Sequence, residues 1–146
     1  MPGIIVGIDG SDRSRQALEW AVNEAAVRHA PLTVLTVNQP INSYWGGPPE
    51  YPEDRDLTDK AREEAQQETD SVLEKLDEAN RPQPVTVRAV PGQPAEELLH
   101  ASDGADMIVV GSRGAGGFKR LAMGSVSTTL THHAHCPVVV IPADDL

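Results

Sequence analysis

Several features that would mark a secreted, membrane-spanning or nucleic-acid-binding protein are missing from this sequence. The single cysteine, Cys136, excludes an intrachain disulfide. No apolar run approaches the ~20 residues needed to cross a bilayer, and the N-terminus lacks the charged-then-apolar layout of a signal peptide. The formal net charge of −10 disfavours nucleic acid as a partner. We therefore expect a cytoplasmic protein with neither a membrane nor a nucleic-acid partner.

Aromatic side chains are also scarce, so the core must be aliphatic. The length of 146 residues fits one domain covering residues 1–146. Continuous apolar runs predict buried strands at 4–8, 107–110 and 138–141. The run at 32–37 predicts a further strand, and an alternating run at 85–90 predicts a strand at the edge of the sheet. Apolar residues at helical spacing predict four intervening helices, the first capped by Ser11 or Asp12. Together they predict a three-layer, Rossmann-like α/β fold with a five-stranded parallel sheet in the order 3-2-1-4-5.

Acidic residues are absent from one long stretch near the end of the chain. The sequence has 22 of them, yet none lies between Met107 and Ala143, where the overall frequency predicts about five or six. The same region holds the glycine-rich stretch GSRGAGGFKRLAMGS, from Gly111 to Ser125, between a predicted strand and a predicted helix. A strand, a glycine-rich turn and a helix N-terminus form an anion site, because backbone N–H groups and the helix dipole point the same way. This pattern favours phosphate binding over a plain surface loop.

The spacing of this stretch differs from the two most familiar phosphate motifs. No P-loop pattern occurs here, and no Gly-x-Gly-x-x-Gly follows the first strand. The pattern present is Gly-x2-Gly-x9-Gly-Ser, on Gly111, Gly114, Gly124 and Ser125. It resembles the ATP-binding signature of the universal stress protein family. The resemblance runs from IIVGIDGS at 4–11 to CPVVVIP at 136–142, and so covers essentially the whole chain.

The predicted strand order brings two ends of the sheet together. Asp9 closes strand 1 and Gly111 closes strand 4, so both border the crevice at the switch point of the sheet. A carboxylate suits sugar hydroxyls better than phosphates, although Asp9 could instead cap the first helix. The resemblance implies ribose at Asp9, adenine at the Val37 backbone, and phosphates on the glycines and serine of the signature. The expected nucleotide-binding residues are Asp9, Gly10, Val37, Gly111, Arg113, Gly114, Gly124, Ser125 and Val126, and Lys119 and Arg120 add nearby positive charge.

The resemblance also implies a ligand and a partner. The ligand is ATP, with Mg²⁺, and the partner is a second copy of the chain, paired through the fifth strand. We assign no catalytic residue, because the phosphate segment offers no carboxylate as a base or magnesium ligand. Slow ATP hydrolysis, binding of a cyclic nucleotide, and a protein-interaction adaptor with an unknown partner stay open. An adaptor would use the loop at 38–55, which holds Tyr44, Trp45 and Tyr51.

Two further clusters favour structural explanations. The acidic residues between Glu50 and Glu78 fit the solvated face of a surface helix. Three histidines near the end of the fourth helix precede Cys136, but only His132 and His135 have the spacing of ligands on one helix face. Favourable interaction with the helix dipole explains them better than a metal site, so we predict no metal ligands.

Overall fold

A five-stranded parallel sheet with helices on both faces forms the frame of the molecule. The computed structural model describes residues 3–39, 52–112 and 124–142. In chain order the elements are β1 (Ile4–Ile8), α1 (Asp12–Arg28), β2 (Leu32–Asn38), α2 (Pro52–Glu74), a 3₁₀ turn (Glu78–Asn80), β3 (Val85–Pro91), α3 (Pro94–Ser102), β4 (Met107–Gly111), α4 (Ser125–His133) and β5 (Val138–Ile141). The sheet order is β3-β2-β1-β4-β5 and every pairing is parallel, which confirms the predicted fold class.

The central strands are apolar along their whole length because both faces of the sheet are covered. Alternate side chains of β1, β2 and β4 pack against α1 and α2 on one face and against α3 and α4 on the other. The first face carries Ile4, Val6, Leu32, Val34 and Val109; the second carries Leu35, Ile108 and Val110 with Leu98 of α3 and Leu130 of α4. Gly7 of β1 allows α3 a close approach, since a Cβ there would lie 2.9 Å from Leu98 Cδ2.

The two edge strands differ from the central ones. Side chains of β3 alternate between half-buried and exposed, as predicted for an edge. We expected β5 to be buried, but all four of its residues are only half-buried. The reason is its place in the sheet order: β5 pairs with β4 on one side, and no other strand among the described residues covers its outer side.

Apolar residues at helical spacing from Leu57 to Ala79 predict the second helix, but α2 starts and stops earlier. It begins at Pro52, inside the stretch 38–55 expected to be a loop, because proline is tolerated in a first helical turn. It ends at Glu74, where Lys75 N–H and Leu76 N–H bond to carbonyls three residues back and tighten the last turn. The rest of the predicted loop, residues 40–51 with their aromatic side chains, lies outside the described residues. Throughout the described ranges, no helix is both long and apolar enough to cross a membrane.

Candidate functional site

The described members of the predicted site lie along one edge of the sheet. Asp9 directly follows β1, and Gly111 is the last residue of β4. These strands pair with Val6 opposite Val109, so the same register, continued by two residues, sets Ile8 beside Gly111. On the other side of β1, Ile8 pairs with Thr36, which Val37 follows in β2. The carboxyl ends of three neighbouring strands therefore border one crevice.

A pair of hydrogen bonds brings the start of α4 to the end of β4. The backbone carbonyl of Ser112 accepts from Gly124 N–H and from the Ser127 hydroxyl, the latter at 3.2 Å. Ser127 is buried and its hydroxyl also lies 3.1 Å from the Gly124 carbonyl. Gly124, Ser125 and Val126 are thus held next to Gly111 although residues 113–123 separate them in the sequence. Arg113, Gly114, Lys119 and Arg120 were also predicted to contribute, and they lie outside the described residues.

The N-terminus of α4 has the properties of an anion site. Gly124 is the N-cap, in extended backbone conformation, and it contributes no side-chain hydrogen bond. The first turn contains no acidic residue, and Ser125 is exposed. N–H groups in a first helical turn have no acceptors within the helix, and the helix dipole adds partial positive charge. An anion in the crevice would therefore find donors and favourable potential at this end.

Asp9 is exposed and its carboxylate is held by the turn that follows β1. Its Oδ1 accepts from Ser11 N–H at 3.0 Å and from the Ser11 hydroxyl at 2.6 Å. The N-cap of α1 is Ser11, whose Oγ accepts from Ser14 N–H at 3.2 Å. The alternative role considered for Asp9, capping the first helix, is therefore wrong. Gly10 turns the chain between them with a φ of 84°, in the left-handed region that favours glycine.

A second cavity lies behind this turn, between α1 and α2. It has a volume of about 330 Å³, and its walls carry Ser11, Asp12 and Arg15 on the α1 side and Glu64, Glu68 and Ser71 on the α2 side. Arg15 donates to the Ser71 hydroxyl at 3.0 Å and so links the two helices. Burial raises the pKa of Glu68 above its ordinary value of 4.5. Arg15 opposes this rise in pKa, and the carboxylates of Asp9 and Asp12 add to it.

The raised pKa of Glu68 predicts a pH-dependent effect of Glu68→Gln. In the folded state the charged carboxylate is disfavoured, so the stability this group supplies is present below its unfolded pKa and is lost as pH rises through the folded pKa. At neutral pH we expect Glu68→Gln to raise the free energy of unfolding, within about 0.5 kcal/mol. The gain should shrink on acidification towards pH 4.5. Urea unfolding at several pH values measures it.

Glu64→Gln is the matched control for that measurement. Glu64 is an exposed carboxylate one helical turn earlier and lines the same cavity. Removing it takes away the same formal charge without removing a half-buried carboxylate. Equal pH profiles for the two variants would show that burial of Glu68 contributes nothing to stability.

Three structural serines at the site were missed by sequence reasoning. Ser14 and Ser127 are buried, and Ser112 supplies the carbonyl that joins β4 to α4. Ser14 and Ser127 each occur three residues after the residue that starts their helix, Ser11 and Gly124. This spacing is the signal that could have identified them, because a hydroxyl there can reach back to the preceding turn.

The histidine cluster lies away from this crevice. His132 and His133 occupy the last turn of α4, whereas His135 follows the C-cap, Ala134, and so lies beyond the helix. In the part of the chain that the structure describes, no three His, Cys, Asp or Glu side chains are grouped to hold a metal ion.

The strand order and the crevice at the carboxyl ends of β1, β2 and β4 define a doubly wound α/β protein. The chain belongs to the universal stress protein family, whose model matches residues 2–142. It is 36% identical, over 98% of its length, to a universal stress protein of Mycolicibacterium smegmatis and to universal stress protein Rv2005c of Mycobacterium tuberculosis. The chain covers only 49% and 48% of these proteins, about half the length of the curated relatives it matches.

Solved structures show the same fold. The universal stress protein UspA from Lactobacillus plantarum is 28% identical, with a TM-score of 0.76, and the match covers 96% of this chain and 97% of that one. More distant neighbours include a universal stress protein in complex with cAMP, at 23% identity and a TM-score of 0.66 (97% and 96% covered). Others are an Archaeoglobus fulgidus protein with dAMP, at 22% and 0.62 (97% and 98%), and an Arabidopsis thaliana protein with AMP, at 21% and 0.55 (98% and 93%).

Proposed function

We propose that this chain is an ATP-binding regulatory module, with the ribose at Asp9 and the phosphates over Gly111, Gly124 and Ser125. The observation that carries the proposal is the N-terminus of α4, which has no side-chain cap and no acidic residue and is tied to the end of β4 through Ser112. Phosphate oxygens would accept from N–H groups of that first turn. Asp9 borders the same crevice from β1 and offers an acceptor for sugar hydroxyls.

The choice of an adenine nucleotide is supported by fold neighbours that carry cAMP, dAMP and AMP. These ligands share the adenine base and differ in sugar and phosphate, so they do not by themselves select ATP. ATP is the proposed nucleotide because Gly111, Gly114, Gly124 and Ser125 match the spacing of the ATP-binding signature that the sequence resembles. Backbone at Val37, beside β1, is the proposed contact for the base.

Magnesium would reach this site with the nucleotide. Residues 107–143 contain no carboxylate, so the phosphate side offers no acidic ligand to the ion. Mg²⁺ commonly binds substrate phosphates and keeps several water ligands, and such a complex fits the residues present here. The same lack of a carboxylate leaves no general base beside the phosphates, which is why we propose binding rather than rapid turnover.

Identification of the copurified nucleotide tests the proposal most directly. We expect the protein to release an adenine nucleotide on denaturation, and the nucleotide-free protein to melt at higher temperature with millimolar Mg-ATP. A ligand selective for the folded state stabilises it by RT ln(1 + [L]/Kd), about 2.7 kcal/mol at one hundred times Kd. The same melting measurement with ADP and with cyclic AMP shows how binding depends on the phosphate groups of the ligand. If none of the three shifts the melting temperature, nucleotide binding is excluded.

We further propose that two copies pair through β5 in the cytoplasm. The four residues of β5 are half-buried and apolar, and an uncovered apolar edge invites pairing. The Pro137 carbonyl accepts from Ile108 N–H of β4 and the Ile141 carbonyl from Ser112 N–H, directly after β4. The alternation of the ladder therefore directs the backbone groups of Val138 and Val140 outward. Those outward groups are available to a second β5.

Imaging of the tagged chain in its host tests the proposed cytoplasmic location.

Val140→Pro should convert the dimer to monomer at micromolar concentration. The substitution removes an outward N–H and leaves in place the hydrogen bonds that the Pro137 and Ile141 carbonyls accept. Sedimentation velocity measures the change, and circular dichroism verifies the fold. Val140→Thr, which keeps the N–H and the branched shape, is the control and should remain dimeric. A wild-type protein that sediments as a monomer contradicts the dimer.

A further inference from the structure

The hydroxyl of Ser11 takes part in two hydrogen bonds at once. It donates to Asp9 Oδ1 at 2.6 Å and accepts from Ser14 N–H at 3.2 Å. A hydroxyl has one donor and two acceptor positions, so both contacts are compatible with a single orientation. The Ser11 side chain therefore caps α1 and also holds the Asp9 carboxylate at the crevice.

Ser11 donates two hydrogen bonds to the Asp9 carboxylate, and one of them is short. A distance of 2.6 Å lies in the range of charge-assisted O–H···O⁻ bonds, and Ser11 N–H reaches the same oxygen at 3.0 Å. The backbone of Asp9 is fixed as well, because its N–H donates to the Ser14 hydroxyl at 3.2 Å. Ser14 is buried, and its hydroxyl lies 3.1 Å from the Ser11 carbonyl. Asp9 is thus held at backbone and side chain although it is exposed.

We infer that Ser11 is a positioning residue that sets how Asp9 recognises ribose hydroxyls, an inference that rests on the proposed nucleotide site. A carboxylate that rotates freely must be ordered when a ligand binds, whereas one already held keeps its acceptor directions. The donors on Oδ1 fix the plane of the carboxylate. Ser11 contacts Asp9 and the start of α1, so its effect on a ligand passes through Asp9.

The test compares Ser11→Gly with Ser11→Thr on three neutral ligands: adenosine, 2′-deoxyadenosine and 3′-deoxyadenosine. Because these ligands carry no phosphate, their affinities do not depend on contacts at the phosphate side of the crevice. We expect wild-type protein to prefer adenosine over at least one deoxynucleoside by about tenfold or more, as for a hydrogen bond to a charged group. Ser11→Gly should reduce that preference below about threefold. Ser11→Thr keeps the hydroxyl and should restore it.

A loss of helix stability alone would not change the ratio. Glycine replaces serine at an N-cap at small cost, so Ser11→Gly should fold. Ala26→Gly weakens α1 by about 1 kcal/mol at a point roughly 22 Å along the helix from Ser11. It should lower the melting temperature and leave the preference for adenosine intact.

The possible failures are distinguishable. A wild-type protein that binds neither ATP nor adenosine overturns the nucleotide site and this inference with it. ATP binding without any preference for the ribose hydroxyls keeps the nucleotide site but overturns the role of Ser11. A clear preference that Ser11→Gly leaves unchanged overturns the positioning role alone.

Discussion

Replacing Gly124 by valine is expected to weaken ATP binding roughly 10- to 100-fold while changing adenosine binding little. Gly124 starts α4 beside the end of β4, where the proposed phosphates meet the first helical turn. A branched side chain there would occupy space needed by a phosphate oxygen and lengthen or remove charge-assisted bonds. The backbone tolerates the change, since φ is −75° and ψ is 169°, a region that valine adopts readily. Calorimetry with both ligands measures the two affinities.

Asp9→Ala is the complementary variant in the same measurement. Its proposed partner is the ribose, which ATP and adenosine share, so both affinities should fall by a similar factor. Circular dichroism checks that each variant is folded. If Gly124→Val and Asp9→Ala lowered the two affinities in the same ratio, phosphate and ribose could not occupy opposite walls of the crevice.

Gly3→Ala should be the most destabilising single methyl addition in the described part of the sheet. Gly3 has a φ of 145°, and a Cβ built there would lie 2.5 Å from the Pro31 carbonyl oxygen and 2.8 Å from Pro31 Cγ. That carbonyl accepts from Ile4 N–H, and the Gly3 carbonyl accepts from Asp106 N–H, so the start of β1 is tied to both neighbouring strands. Relief of the clash must strain these contacts. We expect a loss of about 2–4 kcal/mol, measured by urea unfolding.

Gly104→Ala measures the cost of the left-handed backbone conformation alone, without the steric clash expected for Gly3→Ala. Gly104 also has a positive φ, 83°, but a Cβ there would have no neighbour within 4 Å. Its substitution should cost only the strain of the left-handed conformation, about 1–2 kcal/mol. A Gly3→Ala variant no less stable than Gly104→Ala would show that Pro31 moves aside without cost.

Much of the fold could be predicted because its determinants are local. Strands buried on both faces require continuous apolar runs, such as Ile4 to Ile8, and the order of the sheet follows from the handedness of the crossovers. The limits of α2 were not predictable in this way. Pro52 and the charged residues after it fit a loop or a helix equally well, so the local sequence does not choose between them.

The sequence predicted that Asp9, Gly111 and Gly124 lie along one edge of the sheet, and their role in binding stays a prediction. Spacing of glycines and the end of β1 were enough to name Asp9, Gly111 and Gly124. Patterns of residue type do not encode the bond between Gly124 N–H and the Ser112 carbonyl, because both groups belong to the backbone and are far apart in the sequence. The raised pKa of Glu68 was equally inaccessible, since it depends first on how far folding buries this carboxyl group. Half-burial of β5 follows from its edge position rather than from its composition.

The bonds from Ser112 to Gly124 and Ser127 join the two points of the frame that border residues 113–123. Entry and exit of this segment are fastened to the frame by the backbone and by one buried serine, none of which belongs to the segment itself. Inserting a segment of twice the length between fastened ends costs only about 0.6 kcal/mol in loop-closure entropy. Segments from relatives with other lengths and charges could therefore be grafted between Ser112 and Gly124 without redesigning β4 or α4. Ligand preference in this fold can then diversify by replacing one piece of chain, while the sheet that carries it stays constant.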